Sequence, residues 1–307
     1  MATHENINDL DVWTITSADG GTKASFIPEL GGIGSSIVMP AAGAPRELLY
    51  HHEWFWDRDT DETRGGWPFL FPICGRVMWD GEPDRCNLAG AVREMPIHGF
   101  GMRLPWTVEE EGPDALTLAL EDSEATQAAY PFRFRIGLSY RVEAGALTAR
   151  LTVENRGDEP MPYYAGFHPY FLTPPVGGGK DDVRLDFQSN ARYRYNDTFT
   201  DLAGEEAPPP RPVCVTDESL VDLLALLDED RKVRLSYPEG YRVGIEVTGE
   251  EDAALFPYLQ CYTLPEEPFF CAEPWMNYPN TVHRPEKLHT LAPGTAEHAN
   301  LRLWVEE

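Results

Sequence analysis

Three segments of this 307-residue chain set histidine, arginine or carboxylate groups among aromatic rings. The first runs Arg64-Gly-Gly-Trp-Pro-Phe-Leu-Phe-Pro-Ile-Cys-Gly-Arg76 and is followed by Ile97-His-Gly-Phe-Gly101, just before Trp106. The second is Tyr163-Tyr-Ala-Gly-Phe-His-Pro-Tyr-Phe171, and the third Phe269-Phe-Cys-Ala-Glu-Pro-Trp-Met-Asn-Tyr-Pro-Asn280. One or two polar groups within an aromatic wall suit a sugar, which has apolar C–H faces and hydroxyls that need directed partners. A lone histidine among aromatics is more often a satisfied structural residue, so the weight lies on three such segments in one chain.

The elements that must position these segments read as strands. In Phe132 to Val142, six apolar residues at even positions alternate with Arg133, Arg135, Gly137, Ser139 and Arg141, the period of a strand with one buried face. Glu143-Ala-Gly-Ala146 and a second alternating run, Leu147 to Glu154, complete an antiparallel hairpin. Further runs of period two occupy Leu116 to Leu120, Val183 to Phe187, Val233 to Tyr237, Val243 to Val247, Tyr258 to Leu264 and Leu301 to Val305. Helical patterns are short: Ser123 to Tyr130, closed by Pro131, and Ser219 to Asp230 with Leu220, Leu223, Leu224 and Leu227. With 26 Gly and 27 Pro to punctuate them, many short strands predict a large antiparallel β-sandwich rather than βαβ units. No repeat or long linker divides the chain, so residues 1–307 are expected to form a single domain.

In order along the chain stand Gly75-Arg76, His98-Gly99-Phe100, His168-Pro169-Tyr170-Phe171 and Glu273-Pro274-Trp275. In this ordered set the chain resembles the aldose 1-epimerase family, from about Phe26 to the C-terminal strand. The resemblance implies an all-β sandwich with an open sugar-binding cleft, Glu273 as general base and His168 as general acid. By the same carry-over Arg76 and His98 would bind the substrate, and Asp222 would bind sugar hydroxyls. The usual aromatic neighbour of that aspartate is replaced here by leucines, which leaves Asp217 and Asp228 as alternatives. Arg64-Gly-Gly-Trp-Pro-Phe looks similar to the sugar-phosphate branch and Gly75-Arg76 to the free-sugar mutarotases. The substrate is therefore a hexose or a hexose phosphate, depending on where arginines such as Arg64 and Arg85 point.

Interconverting anomers removes a proton from O1, adds one to the ring oxygen, and reverses both after rotation about C1–C2, so one base and one acid suffice. A carboxylate and an imidazolium in mutual attraction should rest in those states without extreme pKa values. No electron or phosphoryl moves, and the chain has no dinucleotide, phosphate-loop or metalloprotease motif, so neither cofactor nor metal is expected. His51-His52 beside Trp54 and Trp56 reads as a loop near the cleft rim, and Val176-Gly-Gly-Gly-Lys180 as a flexible loop.

Lys and Arg total 25 against 51 Asp and Glu, and a formal charge of −26 repels nucleic acid and anionic membranes. The five cysteines form no CxxC pair, no stretch is long enough to span a membrane, and the N-terminus lacks a signal pattern, so a cytoplasmic protein with reduced thiols is expected. Two other functions fit the same composition. A glycoside hydrolase would set a second carboxylate opposite Glu273. A sugar-binding protein without turnover would need neither acid nor base.

Overall fold

Alternation builds the largest sheet. In Phe134–Glu143 the side chains of Phe134, Ile136, Leu138, Tyr140 and Val142 are buried, while Arg135, Ser139 and Arg141 face outward. The strand begins at Phe134 because the Phe132 amide closes a turn on the Tyr130 carbonyl. It pairs with Ala146–Asn155 from Phe134↔Asn155 to Glu143↔Ala146, and Gly145, at φ 68°, turns the chain between them. The computed structural model describes residues 1–60, 62–174, 177–248 and 255–307.

This hairpin sits within a nine-stranded sheet in the spatial order Thr107–Glu111, Ala115–Glu121, Phe134–Glu143, Ala146–Asn155, Ala296–Glu306, Arg242–Thr248, Lys232–Ser236, Arg184–Phe187 and Val213–Cys214. A second sheet, of eight strands, contains Leu202–Glu206, Ser189–Tyr195, Leu224–Leu227, Tyr258–Tyr262, Phe269–Trp275, Gly166–Phe167 and Phe69–Leu70, with Tyr170–Leu172 also paired to Phe269–Trp275. An N-terminal five-stranded sheet runs from Thr3–Ile7 to Ala44–Glu47. One contiguous core includes residues of all three sheets, among them Phe26, Leu138, Leu303 and Leu259, and Phe26 stacks on Tyr140 at 4.0 Å. The expected all-β sandwich is borne out.

The helical readings fare differently. Ser123 to Tyr130 becomes a four-residue helix, Glu124–Gln127, opened at Ser123, whose amide donates to Thr126 Oγ1 at 2.9 Å. Ser219 to Asp230 is not a helix: it is a 3₁₀ turn, Glu218–Leu220, followed by the strand Leu224–Leu227. That strand is hydrogen-bonded between Ser189–Tyr195 and Tyr258–Tyr262, and Leu224, Ala225 and Leu227 are buried. A short apolar run buried on both faces has no polar side for alternation to reveal, so leucines at helical spacing mimic a helix. Of the Val176 to Lys180 loop, Val176 lies outside the described residues. Lys180, far from being loose, is buried with Nζ donating to Thr263 Oγ1 and to the Leu264 and Glu267 carbonyls at 3.2, 2.9 and 2.5 Å.

Candidate active site

Glu273 lies on Phe269–Trp275, a strand in which every residue is buried. Phe270 and Ala272 enter the main core, whereas Phe269 and Cys271 pack with Tyr170 on the other face, from which Glu273 also projects. Across the ladder, Gln260 stands opposite Glu273 and Tyr262 opposite Cys271. One face of two paired strands thus supplies Gln260, Tyr262, Glu273 and Trp275 to a single cavity of about 400 Å³.

His168 follows the strand Gly166–Phe167 and precedes Pro169, which favours an extended backbone at the histidine. Its amide donates to the Pro68 carbonyl, and its ring stacks on Tyr170 at 4.7 Å. The glycine at 166 is required by packing: a Cβ there would lie 2.8 Å from Trp275 Cδ1. His98 has φ 65° and is held twice by Gly75, its amide donating to the Gly75 carbonyl and its Nδ1 accepting from the Gly75 amide at 3.0 Å. With Nδ1 an acceptor, the neutral ring carries its proton on Nε2. Gly75 itself, at φ 79°, would bring a Cβ within 2.5 Å of Pro279. The Gly-Arg and His-Gly-Phe segments are therefore two halves of one device.

Glu273 and His168 meet at the base of the cavity, His168 Nε2 lying 3.4 Å from Glu273 Oε2. Trp275 Nε1 donates to the same carboxylate oxygen at 3.0 Å, while Glu273 Oε1 and His168 Nδ1 are buried without a hydrogen-bond partner among the described residues. Relative exposures of 1% and 5% decide the electrostatics of the pair. Burial pushes the Glu273 carboxyl well above its ordinary range, against the Trp275 hydrogen bond, and pushes the His168 imidazole down to about 3. The expectation that opposite charges would keep both ionised is corrected here, because desolvation outweighs attraction in so dry a site. Moving one proton from Glu273 to His168 regenerates carboxylate and imidazolium with no change of net charge. Burial also drives His98 well below its usual range, and a proton on His168 and the charges of Arg103 and Arg76 push it the same way.

The other expected residues are brought to the same place. Arg76 and Asp222 line the cavity with Glu273, His168 and His98. Asp222, at φ 52°, is half-buried and raised by desolvation in spite of Arg76. The alternatives are elsewhere employed: Asp217 caps the Ser219 amide at 2.8 Å and Asp228 accepts from the Asp230 amide at 3.1 Å. Arg64 and Arg85 do not reach the cavity. Arg64 ties together the carbonyls of Phe55, Asp57, Arg58 and Thr60, and Arg85 pairs with Glu94 at 2.8 Å. His51 stacks on Phe55 at 3.6 Å and His52 on Trp54 at 4.6 Å, and neither lines the cavity.

Sequence reasoning missed Arg103, Tyr195, Phe199 and Gln260 in the lining. Tyr195 donates from Oη to Gln260 Oε1 at 2.6 Å, so the two form one polar wall. Gln260 had a readable signal, a polar residue inside an otherwise apolar strand; Phe199, in a left-handed turn at φ 56°, had none.

The chain is 26% identical over 239 residues to the chromosomal LacX protein of Lactococcus lactis subsp. lactis, covering 73% of this chain and 77% of that one. It is 30% identical over 239 residues to an Escherichia coli (strain K12) protein provisionally named a glucose-6-phosphate 1-epimerase, covering 74% and 73%. Its fold is shared with a galactose mutarotase-like protein from Clostridium acetobutylicum at a TM-score of 0.84 and 19% identity, covering 100% of this chain and 98% of that one. The family model for aldose 1-epimerase matches residues 12–304, and the chain belongs to the aldose 1-epimerase family.

Proposed function

We propose that the protein interconverts the α and β anomers of an aldose by acid–base ring opening and reclosure, working in the cytoplasm. The observation that carries this reading is the 3.4 Å approach of His168 Nε2 to Glu273 Oε2 at the base of an aromatic, hydrogen-bonding cavity. In the working tautomer the Glu273 carboxylate takes the O1 proton as the C1–O5 bond breaks, and the His168 imidazolium gives its proton to O5. Rotation about C1–C2 presents the other face of the aldehyde, and the two transfers run backward. Sugar hydroxyls entering the cavity supply partners for the unbonded Glu273 Oε1 and His168 Nδ1, which favours the ionised tautomer over the neutral one. His98 Nε2–H, Arg76 and Asp222 hold substrate hydroxyls. The group facing Glu273 is an imidazole rather than a second carboxylate, which supports proton relay over glycosyl transfer.

Arg76 and Arg103 share the cavity with Glu62 and Asp222, a balance of charge that suits a neutral hexose. The two arginines also keep a hexose 6-phosphate as the second reading. The test is polarimetry or exchange NMR on α-glucose, α-galactose and glucose 6-phosphate, with Glu273→Gln and His168→Asn as controls. Catalysed mutarotation lost in both variants is the expected outcome; unchanged rates in both would sink the assignment.

A further inference from the structure

We propose that the base of the cavity is also a binding site for a thiophilic divalent cation of the Zn²⁺ class, held by Cys271, His168 and Glu273, where the ion inhibits rather than assists. Nothing in the reaction needs Cys271, yet its Sγ, a His168 ring nitrogen and a Glu273 carboxylate oxygen all lie within 4.8 Å of one another. The strand makes this meeting obligatory: Cys271 and Glu273 are two residues apart on one pleat face, and His168 approaches from the adjoining segment. Sulfur, imidazole nitrogen and carboxylate oxygen are the donor types that Zn²⁺ selects, in three-protein-ligand sites with one open position. A tetrahedral ion with bonds of about 2.0–2.3 Å needs its donors about 3.5 Å apart, so side-chain movements of roughly an ångström close the site.

A second feature points to a ligand. Glu273 Oε1 and His168 Nδ1 are buried and accept no hydrogen bond among the described residues, so donor atoms remain beyond the contact the pair makes with itself. The fourth position of the ion would face the cavity, open to water or a sugar hydroxyl. Binding converts the Cys271 thiol to thiolate and the Glu273 carboxyl to carboxylate, releasing both protons to solvent, with His168 entering as neutral imidazole. Inhibition rests on the epimerase reading, because the two groups then occupied by the metal are the base and the acid. Mg²⁺, which takes octahedral oxygen ligands and keeps its waters, should not compete.

The experiment titrates the metal-free protein with Zn²⁺ and Mg²⁺ during mutarotation, and with Co²⁺ as an absorbing stand-in for Zn²⁺. Cys271→Ala is the test variant, since Cys271 does not line the cavity and its loss should leave metal-free turnover unchanged. Cys261→Ala is the control: Cys261 pairs with Ala272 and therefore lies on the opposite face of the sheet. The expected result is reversible inhibition by Zn²⁺ and not by Mg²⁺, weakened at least about tenfold in Cys271→Ala and unaltered in Cys261→Ala. Co²⁺ should give a thiolate charge-transfer band in the wild type and in Cys261→Ala that is missing in Cys271→Ala. Equal Zn²⁺ sensitivity of the wild type and Cys271→Ala, or no thiolate band, overturns the site. The band needs no sugar: a Cys271-dependent band in a protein without mutarotation keeps the metal site and removes the epimerase reading, and mutarotation without the band does the reverse.

Discussion

Glu273 is costly to the fold in the state its chemistry needs. Its carboxyl is pushed well upward by burial, so near neutral pH the unfolded chain carries the charge easily and the folded chain does not. Glu273→Gln, neutral at every pH, is therefore expected to raise the melting temperature at pH 7, by roughly 2–4 °C for each kcal/mol recovered. The same variant should lower kcat by about 10²–10⁴ with sugar binding retained, as should His168→Asn. Calorimetry beside polarimetry checks both; a lower melting temperature for Glu273→Gln would contradict the electrostatic account. His168 acts on the acid side. With a folded value of about 3 against an ordinary 6.5, it contributes stability that is present above pH 6.5 and is lost as pH falls toward 3. His98 is shifted in the same direction. Melting temperature plotted from pH 7 to 4 should fall less steeply in His168→Asn than in the wild type.

At the scale of elements, the site depends on how closely the Gly166–Phe167 strand approaches Phe269–Trp275. Gly166→Ala would place a methyl 2.8 Å from Trp275 Cδ1 and 3.1 Å from Trp275 Nε1, the donor that orients Glu273. Overpacking of this kind costs about 1–3 kcal/mol, and here the tryptophan must also turn from the carboxylate. The variant should thus lose kcat beyond what its melting temperature explains, measured at a temperature where it remains folded. His168 and Gly166 owe their positions to strand pairing, and His98 owes its own to the two hydrogen bonds with Gly75. The resemblance to a known family identified the two histidines; the pairing supplies the reason for the glycines around them.

At the scale of the whole molecule, a formal charge of −26 repels itself. Exposed pairs such as Arg141–Asp114 and Arg156–Glu121 offset little of this, being screened and partly free. Adding simple salt from about 0.01 to 0.2 M shortens the Debye length to below about 10 Å and should raise the melting temperature, although ion pairs weaken. A fall with salt would mean that those pairs outweigh the net repulsion.

Period-two alternation in Phe132 to Val142 or Val243 to Val247 was enough to specify strands, because burial on one face is written locally in which residues can be apolar. The ordered motifs singled out Glu273, His168, His98 and Arg76, the family resemblance added Asp222 with Asp217 and Asp228 as alternatives, and the five residues Glu273, His168, His98, Arg76 and Asp222 line one cavity. Three things were decided only in the fold. Leu224–Leu227 became a strand because neighbours on both sides supplied its hydrogen bonds. Gln260 joined the site because register set it opposite Glu273. The protonation of the catalytic pair followed from the removal of water around it, a property of packing from many distant segments that no local pattern of residues encodes.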